Sequence, residues 1–214
     1  MLWLILWILR AAVIIVLCCY VLVFRFLLRH RTRFPKLIEN KTLNMGFVIL
    51  YNACCFLATS LIPEDPQGIT KPHIFAHPVL IIGFCILGIA FISLHAWLIY
   101  KTLRKRNVIG IQNTKDGLIA SGVYAYFRHP IYVGIVGISL GLALLTLNWD
   151  GMLVWPLILI INLIEAKIEE KNDLLPRFKE SYETYQDNVR IFGNLWYWLL
   201  IAVPIFSLIL LSFI

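Results

Sequence analysis

The sequence predicts an all-α integral membrane protein. About six transmembrane helices are expected, the fourth and fifth forming a tight hairpin, followed by a cytoplasmic amphipathic helix. Three observations carry this reading. Of 214 residues 60% are hydrophobic and only 14% charged, with a mean hydropathy of +0.82; the apolar residues gather in long runs; and the basic residues gather in every second connection. Soluble domains sit near roughly 45–50% apolar and about 25% charged, which excludes a soluble globule, a disordered chain and a collagen-like fibre.

The apolar runs are Leu2 to Leu28, Leu43 to Ile62, Pro78 to Tyr100, Ile131 to Leu147, Gly151 to Ile164 and Leu195 to Ile214. Four reach the ~20 residues that a helix needs to cross about 30 Å of hydrocarbon; the fourth and fifth fall short. The first run ends in Arg25, Arg29, Arg31 and Arg33 rather than at a small-residue cleavage site, so it reads as a mature helix and not a signal peptide.

Of the 19 Lys and Arg, five lie in residues 29–42, six in 101–130 and five in 165–194, whereas 63–77 and 148–150 hold only Lys71. Basic loops stay in the cytoplasm, so these three segments are expected there and both termini on the opposite side. The net charge of +7 is thereby explained by topology; membrane lipids, and no nucleic acid, are the expected partners. With no internal repeat or linker, residues 1–214 read as a single membrane domain. The cysteines, Cys18-Cys19, Cys54-Cys55 and Cys85, all fall inside apolar runs without metal or redox spacing and read as packing residues.

The two short runs locate a site. Only Asn148-Trp149-Asp150 separates them, which forces an antiparallel hairpin. Extending each run to about 20 residues carries the fourth helix back to Arg128 and the fifth forward to Glu170. Residues equidistant from Trp149 lie at one height, which sets Arg128 level with Glu170 and His129 level with Glu169. Ionisable groups at a membrane edge are costly and normally face a partner or an aqueous cavity. Tyr124, Arg128 and Tyr132 recur at helical spacing as one polar and aromatic face. Beyond the hairpin, Phe178, Tyr182, Tyr185 and Val189 are spaced by four, three and four with charged residues between, which predicts an amphipathic helix opening at Pro176, either an ordinary surface helix or a lid. His77 and His95 read as histidines satisfied inside the bundle.

The stretch Ser121 to Gly134, SGVYAYFRHPIYVG, followed by an acidic pair and Phe178-x-x-x-Tyr182, resembles the isoprenylcysteine carboxyl methyltransferase family, part of a wider group of membrane methyltransferases that includes phospholipid N-methyltransferases. The resemblance spans roughly Gln112 to Val189 and implies a catalytic region over 112–190, with an S-adenosylmethionine site at the cytoplasmic end of the hairpin. Carried over residue by residue, it implies cofactor contacts from Gln112, Asp116, Gly117, Leu118, Ile119, Tyr124, His129, Pro130, Ile131, Tyr132 and Glu170, with Arg128 and Glu170 as the catalytic pair. Where the family commonly has a substrate-binding Arg, this chain has Ala166 beside Lys167, so Lys167 becomes the substrate-side candidate. Leu195 to Ile214 is an extra apolar segment where many members of the family end.

The chemistry suits these residues. Methyl transfer from a sulfonium is an in-line displacement that requires positioning and exclusion of water but no metal or protein nucleophile, and the sequence carries no CxxC, HExxH or phosphate-cradling glycine loop. A lipophilic acceptor entering from the bilayer is expected. A prenylcysteine carboxylate needs no base, whereas a phosphatidylethanolamine amine must lose a proton, for which Glu169 or Glu170 is available. The motif favours the carboxylate. The competing class is a transporter or a non-catalytic lipid-binding protein, and it lacks support from inverted repeats or broken helices.

Overall fold

The computed structural model describes residues 2–30, 33, 41–62, 78–106 and 117–211, and all regular structure among them is helical. In chain order these are α1 (Leu2–Arg29), α2 (Lys41–Phe56), α3 (Pro78–Arg106), α4 (Pro130–Leu145), α5 (Trp149–Glu169), the short α6 (Leu175–Phe178), α7 (Glu180–Asn188) and α8 (Leu195–Leu211). A 3-10 turn at Gly122–Ala125 precedes α4, and wide π turns follow α2 (Leu57–Leu61) and α5 (Glu170–Leu174). Each of the six apolar runs therefore carries a helix. Among the described residues three stretches are long and apolar enough to cross a membrane: Leu4–Leu27, Pro78–Lys105 and Trp149–Phe178.

Two expectations about helix limits are corrected. First, α4 starts at Pro130 and not at Arg128, because the residue before a proline is pushed out of the helical region; His129 has φ −123° and ψ 64°. Tyr124, Arg128 and Tyr132 consequently lie on a 3-10 turn, a bend and the first turn of α4, and do not share one helix. Second, the amphipathic helix opens at Glu180, not Pro176. Pro176 belongs to the tail of the fifth helix, and the chain turns at Lys179, whose φ of 49° breaks the run.

Packing between α3 and α4 is the closest in the fold, and small residues make it so. A Cβ on Gly88 would stand 2.7 Å from the Gly141 carbonyl oxygen, and one on Gly137 would run into the ring of His95. His95 is itself buried, its Nδ1 2.7 Å from the Phe91 carbonyl and its Nε2 3.4 Å from the Tyr197 hydroxyl. It is satisfied inside the bundle as expected; His77 lies outside the described residues. Tyr197 and Ile201 bring the start of α8 into the same core as Phe91, Leu98 and Val133, so the extra apolar segment packs on the bundle. A second core joins α1, α2, α4 and α5 through Leu17, Tyr51, Cys55, Ile135 and Ile158. All five cysteines are free thiols, with Cys54 and Cys55 buried.

The hairpin turn is pinned to α1 by a polar knot. Arg10, fully buried, donates to Asp150 Oδ2 at 3.3 Å, to Asn148 Oδ1 at 3.2 Å and to the Ile62 carbonyl at 2.9 Å. Asn148 also caps α5 by accepting from the Gly151 amide at 2.9 Å. A lone arginine in an apolar run is costly, and this knot supplies the charge and acceptors that offset the cost.

Candidate active site

At the opposite end of the hairpin the expected register is observed. Arg128 Nε lies 2.9 Å from Glu170 Oε1, and His129 Nδ1 lies 3.5 Å from Glu169 Oε2. His129 Nε2 adds a contact of 3.1 Å to Glu170 Oε1. The π turn beginning at Glu170 widens the helix where both acidic residues must reach one imidazole, and such turns recur at functional sites. The His129 ring stacks on Tyr132, ring centroids 5.5 Å apart.

Glu170 is the hub. Besides Arg128 and His129 it accepts from the Tyr182 hydroxyl at 3.0 Å and from Gln186 Nε2 at 3.0 Å. Both of those donors stand on α7, so this helix covers the cluster as a lid rather than lying apart on the surface. Tyr182 and Tyr185 are buried, and the Tyr185 hydroxyl donates to the Tyr124 carbonyl at 2.6 Å. Arg128 fixes the end of the same lid, donating from Nη1 to the carbonyls of Gln186 at 2.9 Å and Val189 at 3.0 Å.

Burial works against a charged His129, but hydrogen bonds from its ring to Glu169 and Glu170, with their negative charge, outweigh it and raise its pKa above the usual histidine value. Burial and the adjacent Glu170 carboxylate also raise Tyr182, so its hydroxyl stays a donor. The cluster therefore combines an imidazole whose protonated form is favoured by its neighbours, a guanidinium and two acidic side chains.

Of the other residues expected from the sequence, Tyr132 stacks on His129, the Tyr124 carbonyl accepts from Tyr185, and Pro130 and Ile131 open α4 next to His129 in the chain; Tyr124 and Pro130 are buried and the other two partly so. Leu118 and Ile119 are half-buried and Gly117 exposed on the approach to the 3-10 turn, while Gln112 and Asp116 lie outside the described residues. Lys167 is exposed and is not brought to the cluster; its neighbour Ala166 is completely buried in the core.

A further acidic residue stands near the cluster that the sequence reading does not single out. Glu165, one turn before Glu169 on α5, is 2% exposed, and its Oε2 has no hydrogen-bond partner among the described residues. Tyr51 and Tyr132 flank its carboxylate. It follows directly on the apolar run that ends at Ile164 and was counted with the charged connection; its i, i+4 spacing to Glu169 is the signal that would have found it.

Fold and site together define a helical, membrane-type protein with a buried Arg-His-Glu cluster at the end of a hairpin. Residues 84–180 match the family model described as phospholipid methyltransferase. Over 84 residues the chain is 33% identical to the protein-S-isoprenylcysteine O-methyltransferase of Schizosaccharomyces pombe (strain 972 / ATCC 24843), a match covering 39% of this chain and 36% of that protein. The chain thus spans little more than a third of the length of the curated relative it matches. No solved structure matches. Both likenesses agree with the resemblance read from the sequence, and the family model covers Arg128, His129, Glu165, Glu169 and Glu170.

Proposed function

We propose that the protein is an S-adenosylmethionine-dependent methyltransferase acting on a lipophilic acceptor drawn sideways from the bilayer, as a multi-pass membrane protein with its site at the cytoplasmic face. The observation that carries this reading is the cluster of Arg128, His129, Glu169 and Glu170, closed by Tyr182 and lying at the end of two apolar helices. A snorkelling set of helix-end charges would point to water; this one is buried and covered.

The donor set fits the cofactor, whose carboxylate, ammonium, ribose and sulfonium call for a cation, an acid, hydroxyl-binding groups and aromatic faces. Arg128 or His129 would meet the carboxylate, Glu170 the ammonium or ribose hydroxyls, and Tyr124 and Tyr132 the sulfonium. When bound, S-adenosylmethionine supplies an activated methyl group for in-line transfer. The chain's own part is to hold the groups in line and keep water out. Glu170 is occupied by Tyr182 and Gln186, so a cofactor group held by Glu170 would compete with these two contacts from α7.

Carboxyl methylation of an isoprenylcysteine-type acceptor is the first reading, supported by the motif and by the activity named for the yeast relative. N-methylation of phosphatidylethanolamine is the second, and a specific observation favours it. With Lys167 exposed and Glu165 buried beside Tyr51 and Tyr132, an acid stands one helical turn from Glu169 on the core side, which suits an ammonium and can take its proton. Calorimetric titration with S-adenosylmethionine tests the shared claim: saturable binding supports it, and its absence favours a transporter or lipid-binding protein. Base-labile methyl ester or base-stable N-methyl product then separates the acceptors.

A further inference from the structure

A cavity of about 690 Å³ lies beside the cluster, and none of Arg128, His129, Glu169 and Glu170 lines it. Its walls come from the end of α3, from the 3-10 turn and from the connection between α7 and α8. Three cations, Lys101, Lys105 and Arg190, face it with Trp97, Tyr126 and Asn194, and no carboxylate is among the described residues that line it. Three like charges in one concavity repel unless an anion joins them. The backbone around Arg190 separates the two sites. Arg128 donates its amide to the Arg190 carbonyl at 3.1 Å and its guanidinium to the Val189 carbonyl at 3.0 Å, while Arg190 itself lines the cavity.

The depth of the cavity identifies the source of the anion. Trp97, Lys101 and Lys105 fall at i, i+4 and i+8 on α3, at the end of its apolar stretch, and the Lys101 ammonium lies 5.6 Å from the Trp97 ring centroid. Trp97 and Tyr126 are exposed, at 53% and 70%, as are Leu94, Leu195 and Trp196 nearby in the chain. Aromatic rings and basic side chains mark the headgroup level of a membrane, and exposed leucines beyond them offer acyl chains a surface.

We propose that this cavity binds the phosphate headgroup of an anionic phospholipid. A zwitterionic headgroup fits less well because it brings its own cation to three others, and free phosphate leaves the aromatic and leucine surface unused. The site is independent of the methyltransferase reading.

The test uses the full chain in phosphatidylcholine nanodiscs, titrated with a fluorescent phosphatidylglycerol. Each of Lys101→Gln, Lys105→Gln and Arg190→Gln is expected to weaken binding about fivefold and the triple variant on the order of 100-fold. Arg104→Gln, which removes an equal charge from an exposed residue outside the cavity, is expected to leave binding unchanged. Should the triple variant fail to fold, the three single variants carry the test. Wild-type affinity in the variants, an equal loss in Arg104→Gln, or displacement by matched inorganic phosphate would overturn the proposal, the last by assigning the cavity to a free anion.

Discussion

Arg128 and Glu170 stand 42 positions apart in the chain, and their side chains meet at 2.9 Å. The pair closes the open end of the α4–α5 hairpin as Asn148 closes its turn. Because Glu170 also takes Tyr182 and Gln186, one carboxylate ties the hairpin to its lid. Removing it is expected to loosen α7 and to weaken S-adenosylmethionine binding together. Glu170→Ala, His129→Ala and Tyr132→Ala should each lower affinity by about 10- to 100-fold, the equivalent of ~1.5 to 3 kcal/mol for a charge-assisted contact, while the protein remains folded in detergent. Calorimetry on the three variants checks this; wild-type affinity in all of them refutes the assigned pocket.

The Arg10 knot gives an asymmetric prediction. Asp150→Ala leaves a buried guanidinium without its counter-charge and is expected to destabilise by about 3 to 5 kcal/mol, whereas Arg10→Met combined with Asp150→Ala should cost much less. Thermal unfolding in detergent distinguishes the two. Equal losses would mean that the charge pair has no role in pinning α1.

Lys179 adopts φ 49° and ψ −128°, a region that glycine reaches without strain. Lys179→Gly is expected to stabilise the protein by ~1 kcal/mol and to leave cofactor affinity intact, read as a rise in melting temperature.

His129 makes the site pH-sensitive. Its folded-state pKa is raised by Glu169 and Glu170, so the stabilisation from the imidazolium is complete below the ordinary histidine value of about 6.5 and is lost as pH rises through the higher folded value. Melting temperature measured against pH should fall over that window in the wild type and stay flatter in His129→Gln. Parallel curves would show that the ring is not charged in the folded state.

The parts of this structure that the sequence disclosed are those that local rules control. A three-residue connection leaves the fourth and fifth helices only one pairing, and that pairing predicts Arg128 with Glu170 and His129 with Glu169 at the observed heights. The residues that escaped depend on long-range packing. Arg10 and Asp150 are separated by 140 positions, and no periodicity links them. Gln186 sits among the polar positions of an amphipathic helix, where the pattern marks only the apolar face, yet it turns inward to Glu170. Glu165 looked like the first residue of a charged connection because the apolar run stops at Ile164, while the helix continues to Glu169. The helical spacing of Tyr124, Arg128 and Tyr132 misled in the other direction, since Pro130 ends any helix that would have joined them.

The activity proposed for the Arg128–Glu170 cluster is methyl transfer to a lipid-phase acceptor. Its most direct test is to incubate the protein in nanodiscs with methyl-labelled S-adenosylmethionine and either a prenylcysteine analogue or phosphatidylethanolamine, and to count label extracted into organic solvent. Label is expected in one of the two lipophilic products, saturable in the cofactor and reduced at least about tenfold in Glu170→Ala. Label in neither product with no cofactor binding, or equal incorporation by Glu170→Ala, would contradict it.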